Sequence, residues 1–148
     1  MAAVEQDLMK LYSKRILALA GEIAHTGRLD APQGTAMKRS PLCGSTVTVD
    51  VALDGEGRVA DFAQDVKACA LGQSSASVLA AGVIGLGRAE IARGRDQLKA
   101  LIREDGPTPD VPFEALEALR PARDYRNRHA SIMLAWEAAL AAIDDASG

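Results

Sequence analysis

Aromatic side chains are scarce in this sequence. One tryptophan, two tyrosines and two phenylalanines make up 3% of the 148 residues. A β-sandwich held by aromatic pairs is therefore a poor fit. Apolar residues still reach 48%, with alanine abundant among them, which favours closely packed helices with short side chains. An excess of basic charge is also missing: 17 Lys and Arg stand against 20 Asp and Glu, for a net charge of −3. No overall electrostatic footprint for nucleic acid follows from that balance. The nearest thing to a basic patch is Arg120, Arg123, Arg126 and Arg128, interrupted by Asp124. It reads first as a solvated helix start and second as a surface for an acidic partner.

Long apolar runs are absent. The longest, Ser77 to Gly87, is broken by glycines and too short to span a bilayer. The opening Met1–Asp7 has no basic region followed by an apolar core. A soluble, cytoplasmic protein with neither membrane nor nucleic acid as partner is the expectation. Cysteine is limited to Cys43 and Cys69. In a reducing compartment two such residues read as free thiols, ligands or redox groups before a structural disulfide. The sequence also lacks a Ser-His-Asp arrangement, a P-loop and a GxGxxG that follows a strand. Gly82-Val-Ile-Gly85-Leu-Gly87 comes after a helix and reads as a helix break. Nothing here argues for an enzyme.

The patterns that are present suit one domain over residues 1–148, a length that can bury a core without staples. Leu8, Leu11, Ile16, Leu19 and Ile23 recur at helical steps, predicting a first helix over Asp7–Ala24. His25 in the loop that follows reads as a surface residue. The period then changes to two. Thr35–Arg39 is a short strand, and Val47, Val49, Val51 and Leu53 mark a second with one buried face. Asp54-Gly55-Glu56-Gly57 is a hairpin turn, and Arg58–Ala68 returns as the third strand.

From Cys69 on, the pattern is helical. Ala70–Ile84 is a helix of small residues, Ala89–Arg93 and Asp96–Arg103 are two short pieces, and Phe113–Leu119 is another. Pro121 suits the start of a final helix running to about Asp144. Its apolar line Met133, Trp136, Leu140 and Ile143, expected against the sheet, extends back to His129. The fold class is thus α+β: a three-stranded antiparallel sheet, helices packed on one face, and a long C-terminal helix.

Cys69 stands where a strand ends and a helix begins. The first N–H groups of a helix lack backbone partners and carry partial positive charge, so a sulfur there is favoured in its nucleophilic, metal-binding form. Cys43 lies in the Pro- and Gly-containing turn Ser40-Pro41-Leu42-Cys43-Gly44-Ser45. If strands two and three pair through Asp54-Gly55, their far ends bring both thiols to one rim. His129, near the start of the last helix, could cap that rim. Two thiolates and an imidazole form a soft ligand set for zinc, iron or an iron–sulfur cluster, with a position left open.

Three runs carry a resemblance. Pro41-Leu42-Cys43-Gly44, the stretch Ala68-Cys69-Ala-Leu-Gly-Gln-Ser-Ser-Ala-Ser77 and His129-Ala130-Ser131-Ile-Met-Leu134 resemble the NifU/IscU-like iron–sulfur cluster assembly scaffolds. The opening Leu11-Tyr12-Ser13 is similar as well, so the likeness spans nearly the whole chain in order. It implies a small α+β fold assembling a transient cluster at the sheet rim, held by Cys43, Cys69 and His129. It also implies a cysteine desulfurase as sulfur source and iron–sulfur acceptor proteins as recipients. The family places an aspartate where this chain has Ser45. Its third cysteine falls on Ala130, or on His129 in a second register. Two other functions suit the same fold: a zinc-binding sulfur acceptor or adaptor for the desulfurase, and a non-metal binding module using the arginines of 120–128.

Overall fold

Strand β1 (Gly34–Arg39), β2 (Thr46–Leu53) and β3 (Val59–Lys67) form an antiparallel sheet in sequence order. The computed structural model describes residues 12–41 and 44–148. The β2–β3 hairpin closes as the Asp-Gly signal predicts. The Asp54 carboxylate accepts hydrogen bonds from the backbone N–H of Glu56 and Arg58, at 2.8 and 3.0 Å. Gly57 takes the positive φ (79°) that the turn requires. Alternation holds for Val47, Val49 and Val51, which are buried beneath the helical layer, but Leu53 is only half-buried and Asp50, on the other face, is buried as well.

Helix α1 (Lys14–Gly21) is capped by Ser13, whose hydroxyl accepts from the Ile16 N–H at 3.2 Å. Residues 7–11 of the expected first helix lie outside the described residues. Its other end comes earlier than Ala24 because the chain there pairs with β3. His25 accepts from the Gln64 N–H and Gly27 donates to the Gln64 carbonyl, both at 2.9 Å. Long-range pairing along a sheet edge outweighs local helical periodicity. His25 is exposed, as expected, with its ring edge-on to Phe62.

Helix α2 (Ala70–Gly82) follows with Cys69 as its N-cap residue. Helix α3 (Arg88–Glu104) is continuous, where the sequence suggested two pieces parted near Gly94. A Cβ at Gly94 would lie 2.8 Å from the Trp136 ring and 2.9 Å from the Phe113 ring. That glycine serves close approach and does not break the helix. Its helix-propensity cost of about 1 kcal/mol is offset by a fully buried tryptophan, worth about 2–3 kcal/mol in apolar area alone.

The chain from Glu114 to Asp124 is a 3-10 helix with Pro121 inside it, not a helix opening at Pro121. Leu116, Leu119 and Ala122 are buried at every third position, the period of a helix with three residues per turn. A second short 3-10 turn, Arg126–Arg128, leads into helix α4 (His129–Ser147). This last helix is buried almost all round, between β1 and β2 on one side and α2 and α3 on the other. At Gly34 a Cβ would meet the Ala142 carbonyl oxygen at 2.1 Å, so α4 crosses β1 at backbone contact. The expected apolar line does not all face the sheet. Trp136 turns to the helices, its Nε1–H donating to Ser75 Oγ at 3.0 Å and its ring set edge-on to Phe113 at 4.8 Å. Among the described residues no helix is long and apolar enough to cross a membrane.

Candidate functional site

Arg39, Thr46 and Lys67 share one row across the three strands. Just beyond that row lie the turn Ser40–Ser45 and the joint Ala68–Cys69, so the rim deduced from the hairpin exists. The turn is closed by Ser40 N–H to the Ser45 carbonyl at 2.8 Å and Gly44 N–H to the Ser40 carbonyl at 3.0 Å. Gly44 has a φ of 72°, which a residue with a Cβ adopts at a cost. Cys43 belongs to this turn but lies outside the described residues.

Cys69 is a free thiol, partly buried, in an extended conformation at the start of α2. Its sulfur makes no capping bond to its own helix. It lies instead 3.6 Å from the hydroxyl oxygen of Ser131, on α4. Ser131 in turn donates to Ser45 Oγ at 3.2 Å. Both serines are buried, at 1% and 6% exposure. A line of three polar groups therefore joins the β1–β2 turn, the β3–α2 joint and the last helix. A hydroxyl has one proton to donate. While Ser131 gives its proton to Ser45, the Cys69 S–H is the donor to Ser131. With the sulfur as thiolate, the Ser131 proton is the one placed to stabilise it.

Small residues in α2 make this approach feasible. A Cβ at Gly72 would lie 2.7 Å from Ser131 Oγ and 3.1 Å from the Ser131 carbonyl oxygen. Ser75 Oγ donates to the Ile132 carbonyl at 2.7 Å while accepting from Trp136. Ser74 Oγ reaches the Ile16 carbonyl, also at 2.7 Å. The serine-rich run after Cys69 thus fixes α2 against α4 and α1, and Cys69 with it.

His129 is buried as expected from its helical phase, at 7% exposure, but its ring is directed elsewhere. Nε2 lies 2.8 Å from the Ala122 carbonyl oxygen. A carbonyl only accepts, so Nε2 carries the proton. Side chains two positions apart on an α-helix point about 200° apart around its axis. Ser131 faces Cys69, and His129 consequently faces the opposite side. The residue that α4 brings to the rim is therefore Ser131, not His129 or Ala130. Helix phase puts His129 in register with Trp136, and only the structure shows that Trp136 packs against helices and away from the sheet rim. Among the described residues no three His, Cys, Asp or Glu side chains gather as metal ligands.

Comparison with known proteins gives a consistent picture. The family described as NifU-like N terminal domain matches residues 11–147. The crystal structure of a nitrogen-fixing NifU-like protein (N-terminal) from Brucella abortus is 42% identical, with a TM-score of 0.91 over 95% of this chain and 97% of that one. A protein of thermophilic Fervidobacterium islandicum AW-1, described as a candidate iron–sulfur cluster assembly scaffold for the SUF system, has a TM-score of 0.81. It covers 91% of this chain and 98% of its own, and at 18% identity it shows the shared fold alone. No protein of curated function matches the chain.

Proposed function

The chain belongs to the NifU-like N-terminal domain family, and from that premise we propose that it is a non-enzymatic scaffold for iron–sulfur cluster assembly. The cargo is a transient cluster, received as iron and as sulfur from a cysteine desulfurase and passed to acceptor proteins in the cytoplasm. Cys43 and Cys69 are its thiolate ligands. Of the three ligands expected from the sequence, His129 is the one the geometry disfavours, since its protonated nitrogen is held by Ala122 and its ring is turned from Cys69. We assign the third place at the rim to Ser131.

One observation carries this reading: a free cysteine at a helix N-terminus, on a sheet rim, facing a buried hydroxyl from the last helix. The site chemistry fits a weakly held cargo. Soft thiolates suit iron–sulfur clusters, which are ordinarily bound by four cysteines. A chain with two thiols and two hydroxyls offers fewer strong bonds, which suits release more than storage. A reducing compartment keeps both thiols available.

Anaerobic reconstitution of the full chain with iron and sulfide tests the proposal. Charge-transfer absorption in the visible is expected, with labile sulfide in proportion, and each of Cys43→Ala and Cys69→Ala should remove it. Absence of that absorption, or stoichiometric zinc without labile sulfide in protein as isolated, would overturn it.

A further inference from the structure

The arginines of this protein divide into two groups. Arg28, Arg88, Arg93, Arg95 and Arg120 each hold a carboxylate, at 2.6 to 2.8 Å. Arg15, Arg39, Arg103, Arg126 and Arg128 form no ion pair among the described residues, and of these Arg103, Arg126 and Arg128 lie at helix ends. Arg103 is in the last turn of α3, and the other two immediately precede α4. Arg103 and Arg126 line an open recess of ≈ 880 Å³ together with Arg123, Asn127, His129 and Ala130. Arg123 shares Asp105 with Arg120, at 3.3 Å. Asp124 is the carboxylate in the recess.

Other features add positive potential at the same place. The recess borders the N-terminus of α4, a 19-residue helix with no acidic residue in its first turn and no side-chain cap. Its first N–H groups add the positive end of the helix dipole to the guanidinium charges. Concave walls of low dielectric concentrate such a field. The chain as a whole carries −3, so the three arginines against one carboxylate here are a local excess and not a reflection of the overall charge. The volume exceeds what one small oxyanion fills, and three exposed guanidinium groups are spread along it.

We infer that this recess, formed by Arg103, Arg123 and Arg126 beside the start of α4, is a docking site for an acidic segment of a partner protein. Its position is functional in itself. His129 and Ala130 line the recess, and the next residue, Ser131, faces Cys69 across the helix. A partner seated there grips the element that carries one side of the cargo rim. The inference does not rest on the cargo proposed above and is tested on the chain without iron or sulfide.

The probe is a fluorescein-labelled ten-residue glutamate peptide, followed by anisotropy, with the ten-residue glutamine peptide as neutral control. Binding of the glutamate peptide alone is expected, with amide chemical-shift changes confined to residues around 103 and 123–130. Arg103→Glu and Arg126→Glu should each weaken it roughly tenfold, while Arg103→Lys and Arg126→Lys retain most of it. These residues are exposed, so circular dichroism and melting should match the parent. Arg88→Glu, at a paired arginine elsewhere, should leave binding unchanged. Shift changes spread over the surface, or equal loss in Arg88→Glu, would overturn the inference. So would displacement of the peptide by sub-millimolar inorganic phosphate, which would make the recess an oxyanion site.

Discussion

The hydroxyl oxygen of Ser131 lies 3.6 Å from the sulfur of Cys69, although 62 residues separate them in sequence. That contact ties the last helix to the strand–helix joint. A thiol at position 131 would stand within reach of a disulfide after a small rotation of either side chain. Ser131→Cys is therefore expected to lose its titratable thiols at 69 and 131 together under mild oxidation, while Ser131→Ala keeps Cys69 free. Thiol titration with peptide mapping decides this. Both thiols remaining titratable in the Cys variant would contradict the geometry.

His129 gives the complementary prediction. Its hydrogen bond to the Ala122 carbonyl is a structural tie, worth about 1 kcal/mol, with a similar cost for leaving the carbonyl unpartnered. His129→Ala should lower stability by about 1–3 kcal/mol in urea denaturation and leave cluster absorption dependent on the cysteines. A folded His129→Ala protein that no longer takes up iron and sulfide would restore His129 as a ligand and displace Ser131 from that role.

Gly34 and Gly55 separate crowding from mere glycine content. A Cβ at Gly34 meets backbone atoms of α4, the Ala142 oxygen at 2.1 Å and the Ala146 nitrogen at 2.6 Å. Neither can rotate away, so Gly34→Ala should cost about 3 kcal/mol or more. Nothing lies within 4 Å of a Cβ at Gly55. Gly55→Ala should stay within about 0.5 kcal/mol of the parent. Equal denaturation midpoints for the two variants would mean that α4 does not press on β1 as described.

Two carboxylates shape the acid limb of stability. The hydrogen bonds of Arg120 hold Glu117 down to about 2, with the Thr108 hydroxyl assisting. The Arg28 hydrogen bond lowers Asp50 from the ordinary carboxylate range; the Asp50 side chain is fully buried in β2 and also accepts from Thr35 and the Leu29 N–H. A carboxyl depressed in the folded state contributes stability that is present above its unfolded value and lost as pH falls through the folded one. For Glu117 that window runs from 4.5 down to about 2. Glu117→Gln should flatten the pH dependence of the urea midpoint across it. An unchanged slope would show that the Glu117–Arg120 pair is too solvated to matter.

Much of the fold was legible in the sequence because its signals are local. The valines of β2 alternate in the chain as they do in the sheet, and Asp54-Gly55 fixes the turn between β2 and β3. Together they bring the Ser45 and Cys69 ends to one rim. Cys69 as the residue between the end of a strand and the start of a helix was equally legible, because the period changes there from two to 3.6. The helical layer was less so. Gly94 and Pro121 look like punctuation in sequence, yet one lies inside α3 to admit aromatic rings and the other inside a 3-10 helix.

What the sequence alone determined was the sheet, its register and the sulfur at its edge, since hairpin geometry and side-chain alternation act between near neighbours. Which residue of the last helix meets that sulfur was decided only by tertiary structure. A helix buried on nearly every side has no single apolar stripe to orient it. Its rotation is set by where backbones can approach, at Gly34 and Gly72, and by where Trp136 finds room beside Gly94. Those contacts turn Ser131 to Cys69 and His129 away.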